Sequence, residues 1–365
     1  MASDRRHYLY KDVLPFAAMV TMECTNVGLN TLYKAATLRG MSYHVFIVYS
    51  YAVAAFLLLP APFFSNRSRV LPPVNIWIVS KVGLLGIIGC TSQIMGYTGI
   101  IYSSPTLASA ISNLVPAFTF ILALIFRMET LSFSKKSSRA KLVGTIVSVT
   151  GAFVVTLYKG PKLIWSLPST SPSVSLNASQ PNWALGGLFL TSEYILVPLW
   201  YIVQTQIMKE YPAELTVVFF YNLIVSLLAA VVGAFTEPDS SVWRIKPDIA
   251  LASILCSGVL GSCLNNSVHT WALRLKGPLF VSMFKPLSIA IAVAMGVMFL
   301  GDDLYLGSVI GAAIISIGFY TVMWGKAKEV VINDEVMNLD SSSISRSPLL
   351  QYYKDADAEV DVERS

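Results

Sequence analysis

The chain has 365 residues, 55% of them hydrophobic and only 13% charged, with a mean hydropathy of +0.62. Soluble domains carry about 25% charged residues, so a chain this apolar lacks the polar surface to stay dispersed in water and reads as membrane-embedded. The formal charge of +5 combines a basic apolar part with an acidic tail, and the basic excess lies in short loops, where it sets membrane orientation and does not point to nucleic acid.

A hydrocarbon core of about 30 Å takes about 20 helical residues, and ten stretches reach that length. Residues 1–12 are basic and run into the first stretch with no small-residue cleavage site, the pattern of an uncleaved signal anchor with a cytosolic N-terminus. The first five spans are expected at Val13–Tyr33, His44–Phe64, Trp77–Tyr102, Pro105–Phe126 and Lys141–Tyr158, filling residues 13–158. A polar extracytosolic loop follows at 159–182. Five more spans, in 183–325, are expected at Trp183–Ile207, Leu215–Phe235, Ile249–Leu273, Pro278–Phe299 and Leu306–Trp324. Residues 326–365 hold five Lys/Arg against nine Asp/Glu and many serines, too little apolar content to fold alone, and are expected as a disordered cytosolic tail. Trp77, Trp183, Trp243 and Trp324 near span ends suit interfacial anchoring. Cys24, Cys90, Cys256 and Cys263 all lie within spans without paired ligand spacing, so they read as buried thiols.

The second half repeats the first. A shift of 173 residues superposes Cys90 on Cys263, Gln93 on Asn266, Pro105 on Pro278, Ser109 on Ser282 and Glu129 on Asp302. After a six-residue excess in the first copy, Gly144 and Gly151 fall on Gly311 and Gly318, and Lys159 on Lys326. Five is odd, so a tandem copy must enter the membrane in the opposite orientation, the inverted architecture of many secondary transporters. Loop charges agree: Arg127, Lys135, Lys136, Arg139, Lys141, Lys209, Arg274, Lys276 and Lys326 fall on the side of the N-terminus, outweighing Lys34, Arg39, Lys159, Lys162, Arg244 and Lys246 opposite. Both termini are therefore expected in the cytosol, with the glycosylation sequon at Asn177 outside.

Two segments carry a family resemblance. SPTLASAISNLVPAFTFILALIFRMETL, from Ser104 to Leu131, and GPLFVSMFKPLSIAIAVAMGVMFLGDDLYLGSVIG, from Gly277 to Gly311, resemble the fourth and ninth helices of EamA-type drug/metabolite transporters. The resemblance is to the plant nodulin-21-like, Walls-Are-Thin-related or UMAMIT branch. It covers nearly all of the chain except the acidic tail. It implies an all-α integral membrane protein of ten transmembrane helices in two inverted five-helix EamA repeats. It also implies movement of small organic solutes, amino acids and auxin-like compounds among them.

Charged and amide side chains within a span are costly unless they face a cavity or one another. Lys285 lies seven residues past Pro278, about 10 Å deep at 1.5 Å per residue. Pro286 beside it removes the backbone bond to Ser282 and loosens the helix there. The ammonium is expected either to hold a solute carboxylate or to brace against Glu23 or Glu193. Glu23, Asn26 and Asn30 recur on one helical stripe, where Glu23 reads as a proton site or as an interhelical hydrogen-bonding group. Glu193 and Gln204, flanking Pro198, are its rough counterparts and add a second proton-site candidate. Asn113 precedes Pro116, whose missing N–H frees the carbonyl of Ser112. Gln93 and Asn266 offer amides at corresponding depths, and His269, on the face of Ser262 and Asn266, reads as a packing residue.

No Walker motif, metal-ligand cluster or paired catalytic carboxylates occur in the sequence. The expected activity is non-enzymatic and cofactor-free: secondary transport of amino acids or auxin-like carboxylated metabolites, facilitated or proton-coupled, across the plasma membrane, or else the vacuolar or endoplasmic reticulum membrane. Its partners would be a small solute, the bilayer and protons. A receptor or scaffold acting through its tail, and an intramembrane enzyme, are the competing classes.

Overall fold

A computed structural model describes residues 13–344 apart from 38, 64–74, 104, 130–134, 159, 165–182, 246 and 296–303. Ten helical units succeed one another, and among the described residues seven of their helices are long and apolar enough to cross a membrane: α1 (Leu14–Thr37), α2 (Tyr43–Leu58), α3 (Ile76–Tyr102), α4a and α4b (Pro105–Ser112 and Val115–Ile125) and α5 (Lys136–Leu157). Then come α6 (Trp183–Glu210), α7 (Glu214–Thr236), α8 (Ile249–Lys276), α9a and α9b (Pro278–Ser282 and Phe284–Met295) and α10 (Leu306–Ile344). Helices are imposed by the bilayer, where an open strand would leave backbone groups without partners. Among the described residues the exception is one antiparallel pair, β1 (Lys162–Ile164) with β2 (Leu304–Tyr305), which ties the loop after the first repeat to the entry of α10.

Three helices depart from simple rods. The fourth unit breaks at Asn113 and Leu114, and Pro116 sits in the first turn of α4b, where a missing N–H leaves no bond unmade. The ninth breaks at Met283, which puts Pro286 likewise in the first turn of α9b. Helix α8 opens into a π-helical stretch over Ser257–Asn265 at mid-span. Pro198, by contrast, produces no break: α6 runs unbroken through it, because one proline removes one bond and the neighbouring turns hold. The tenth helix also continues to Ile344, so residues 326–344 are helical where the sequence reading expects a disordered tail. Glu329 is bonded to Lys141, which pins the first turn beyond the span. Asn177 lies outside the described residues, as do 345–365.

The repeats embrace about a pseudo-twofold axis that can be read from four glycines. A Cβ on Gly144 would lie 2.8 Å from the carbonyl oxygen of Gly318, and one on Gly318 would lie 2.7 Å from that of Gly144. Gly151 and Gly311 reciprocate in the same way, at 3.0 and 2.7 Å. Gly144 corresponds to Gly311 and Gly151 to Gly318 in the repeat, so each contact is the image of the other. That reciprocity is possible only if α5 and α10 cross antiparallel, as inverted copies must. Small residues allow such close backbone approach in membranes, where there is no hydrophobic drive to hold helices together. The remaining contacts follow the same symmetry: α2 packs on α7, α3 on α6 as α8 on α1, and α4b on α6 as α9b on α1.

Where α4b and α5 meet α10, on the face predicted to be cytosolic, four charges interlock. Lys141 is fully buried and donates to Glu129 Oε2 at 2.6 Å and to Glu329 Oε2 at 2.7 Å. Lys326 reaches Glu129 Oε1 at 2.8 Å and the carbonyl of Lys276 at 2.9 Å. Burial is the largest single influence on the Glu129 carboxyl and would raise its pKa. Lys326 and Lys141 together outweigh it, leaving Glu129 below the usual carboxylate range.

Two outcomes follow from this packing. Gly318→Leu should overpack the α5–α10 crossing and lower thermal stability in detergent by the order of 1–3 kcal/mol, whereas Gly83→Ala, with open space around its Cβ, should be neutral. A depressed folded-state pKa at Glu129 means that its stabilisation is present above the unfolded value of about 4.3 and is lost as pH falls through the folded value. The melting-temperature gap between the parent and Glu129→Gln should therefore be flat from neutral pH down to that range and close below it.

Candidate functional site

The break in the ninth unit delivers Lys285 as the second residue of α9b, next to loosened backbone. The carbonyl of Lys285 accepts a hydrogen bond from Ser288 Oγ at 2.7 Å. Its ammonium interacts electrostatically with Glu23 of α1 most strongly, and with Tyr201 and Glu193 of α6, yet no ion pair within 4 Å joins it to either acid. One cation thus stands among two carboxylates from matching depths of mutually inverted helices.

Both acids keep an unused acceptor. Glu23 is 2% exposed, and its Oε1 has no hydrogen-bond partner, lying 3.9 Å from His269 Nε2. His269 is held by its other ring nitrogen, 2.9 Å from the carbonyl oxygen of Asn265, and so is a buried neighbour of Glu23 as well as a packing residue. Glu193 Oε2 is buried and likewise unpartnered. The Glu193 carboxyl occupies the space that a side chain on Gly96 would fill, 2.5–2.6 Å from a Cβ placed there. A buried polar atom without a partner costs free energy, so these two oxygens mark where a bound group would be most welcome.

The predicted amides divide into two groups. Asn26 donates to Asn265 Oδ1 at 3.3 Å, and Asn266 donates to Asn222 Oδ1 at 3.2 Å, joining α1, α7 and the π-helical part of α8. Gln93 donates to the Tyr51 hydroxyl at 3.3 Å, within an aromatic group in which Tyr221 packs against both Tyr51 and Trp200. Asn113 lies apart from these: fully buried, it donates to Thr156 of α5 at 3.1 Å while its Oδ1 has no partner. Gln204, also fully buried, bonds Thr270 at 2.8 Å. Asn30 is exposed, away from the Glu23 cluster.

Asn222 is the residue that sequence reasoning missed. It is fully buried, receives Asn266 and donates to the carbonyl oxygen of Ser262 at 3.1 Å, thereby satisfying backbone that the π-helix leaves free. The signal was present, an amide in mid-span of α7, but it lies outside the positions that the 173-residue shift brings into agreement. Trp243 also departs from expectation. Its indole donates to the carbonyl oxygen of Glu237 at 3.1 Å and its ring covers Gly233, so it seals a loop against α7.

An EamA-like transporter family model matches residues 17–157 and 185–324, one match for each half of the bundle. The chain belongs to the EamA-like transporter family. Within this family it is similar to a WAT1-related protein of Arabidopsis thaliana, 65% identical over 363 residues, 96% of this chain and 98% of that protein. A second WAT1-related protein from the same plant is 52% identical over 349 residues, covering 94% and 93%. A crystal structure of 14% sequence identity superimposes with a TM-score of 0.59, covering 82% of this chain and 98% of the other, which shows the shared fold. As an EamA-like protein the chain is a multi-span membrane transporter of small solutes.

Removing the Asn222 amide should leave both Asn266 and the Ser262 carbonyl unpaired. Asn222→Ala is expected to cost about 1–3 kcal/mol in thermal unfolding, and its cost should not add to that of Asn266→Ala, since the two share one bond.

Proposed function

We propose that this EamA-like protein moves amino acids in zwitterionic form, by rocking of the two repeats about a mid-bilayer site at Lys285. The observation that carries this reading is the Lys285 ammonium, which has no ion pair among the described residues, with Glu23 and Glu193 acting on it and each keeping an acceptor oxygen without a partner. A zwitterion answers that pattern: its carboxylate meets Lys285 beside the α9 break, and its ammonium meets Glu193. A simple carboxylate such as an auxin-like acid would satisfy Lys285 and leave both acids uncompensated. Asn266, Asn26 and Gln93 orient the solute from the flanking helices, and Asn113 supports the matching break in the fourth unit. Glu23, next to His269, is the proton carrier if transport is coupled, with Glu193 as the second proton site.

The basic-loop asymmetry supports both termini in the cytosol and Asn177 outside, with the plasma membrane as the place of action. Discontinuous helices meeting near mid-bilayer are the usual way that secondary transporters present backbone polarity to a solute.

Flux of labelled amino acids in vesicles tests the site. A charge-assisted hydrogen bond is worth about 1.5–3 kcal/mol, so Lys285→Ala should raise the KM for an amino acid roughly tenfold to a hundredfold. Glu193→Gln should weaken uptake of the amino acid while sparing its des-amino analogue. Full carboxylate transport by a normally expressed Lys285→Ala protein would assign Lys285 to an internal brace and end this reading.

A further inference from the structure

The charge network around Glu129 lies away from the solute site, yet it touches both helices that are broken there. Glu129 ends the α4b segment, in the turn where Arg127 takes a left-handed φ of 55°. The carbonyl of Lys276 belongs to the last residue of α8, followed by Gly277 with φ of 82° and by Pro278, the first residue of α9a. Lys326 on α10 holds the two together: its ammonium is 2.8 Å from Glu129 Oε1 and 2.9 Å from the Lys276 carbonyl oxygen. The first half of α9 also packs directly against α4b. One side chain therefore ties the end of a broken helix from the first repeat to the entrance of the corresponding broken helix from the second.

The rest of the network gives this tie a fixed base. Lys141, fully buried, bonds Glu129 from α5 and Glu329 from α10, and those two helices are locked by the glycine crossing. A second bridge between the repeats, Lys81 of α3 to Glu210 of α6 at 2.5 Å, lies on the same face. On the opposite face the described side-chain links that join the repeats run through neutral donors, as from Ser42 Oγ to Glu237 Oε1 at 2.8 Å. The described ion pairs that cross between repeats at the helix ends are thus gathered on one face.

We propose that Lys326 and Glu129 form a latch that keeps the solute pathway shut on the face bearing Lys141, and that the latch parts whenever the pathway opens there. It rests on rocking of the repeats, not on which solute is carried. Lys326 and Glu129 act as gating residues through the ends of α4b and α9a, without touching solute. When the latch parts, Lys141 retains Glu329, so α5 and α10 stay together while the broken helices separate. A pair with one buried and one half-buried partner resists opening because Glu129, left alone, would be a buried uncompensated charge.

The test reads accessibility, which does not depend on solute. Ser282, fully buried at the end of α9a, is replaced by cysteine in the full chain after Cys24, Cys90, Cys256 and Cys263 are changed to alanine. A membrane-impermeant thiol reagent is then applied to vesicles of each orientation. Lys326→Met and Glu129→Gln should each speed labelling from the Lys141 face at least tenfold and slow it from the other, while Lys326→Arg should label like the parent. Unchanged labelling in both variants, or equal acceleration from both faces, would overturn the latch. Should Lys326→Met fail to fold by size exclusion, Glu129→Gln removes the same bond from the other side and decides alone. Lys285→Ala run in parallel separates the two readings, since loss of the solute site alters flux and leaves this labelling as in the parent.

Discussion

The backbone-to-backbone crossing of α5 and α10 is the constraint on which the rest of the bundle depends. Four glycines that exchange near-contacts in reciprocal pairs leave no freedom in how the repeats face each other. Close approach multiplies van der Waals contacts that are each worth only about 0.1–0.2 kcal/mol, and in lipid these contacts replace the hydrophobic drive available in water. The crossing also fixes Lys141 and Glu329 opposite each other at its end. The more loosely joined elements, the broken fourth and ninth units, are thereby hung from a rigid pair.

A second constraint is the cost of polarity in hydrocarbon. The interior groups are arranged so that nearly every amide spans two helices: Asn26 to α8, Asn266 to α7, Gln93 to α2, Asn113 to α5. The unpaired buried side-chain atoms lie one each on nine of the described residues, Glu23 and Glu193 among them. Satisfied amides join neighbouring helices, and the unsatisfied oxygens of Glu23 and Glu193 are the atoms that the proposed solute would meet. Bonded and unbonded polarity thus share one stripe: Asn26 is paired with Asn265, and Glu23, one turn away, keeps an oxygen without a partner.

Much of this was legible in the sequence, for identifiable reasons. The ten units and the inverted repeat follow from apolar length and from the agreement of Gly144, Gly151, Gly311 and Gly318, since a residue that must be absent of side chain leaves a clear mark. Lys285, Glu23 and Glu193 stood out because charges are rare in spans. Proline was a poorer guide: Pro116 and Pro286 lie just past their breaks, in first turns that tolerate them, and Pro198 sits in an unbroken helix. The breaks come two or three residues earlier, at residues with no strong local preference, beside the contact of α9a with α4b of the other repeat. The π-helical stretch of α8 was invisible for the same reason, because it exists to meet Asn222 from another helix. Lys141 was read as a loop charge, and nothing local could reveal that Glu129 and Glu329 bury it.

Symmetry fails at one place that bears on direction. Glu23 and Glu193 are rough counterparts in the two repeats, but the image of Lys285 under the 173-residue shift is Ser112, an uncharged hydroxyl. A carrier with two identical halves would have inward and outward forms of equal energy. Here Lys285 has no cationic counterpart in the first repeat, so under the rocking proposed above a bound carboxylate would make different contacts in the two forms and split their energies when loaded. The loaded carrier would therefore release its solute more readily through one entrance than through the other.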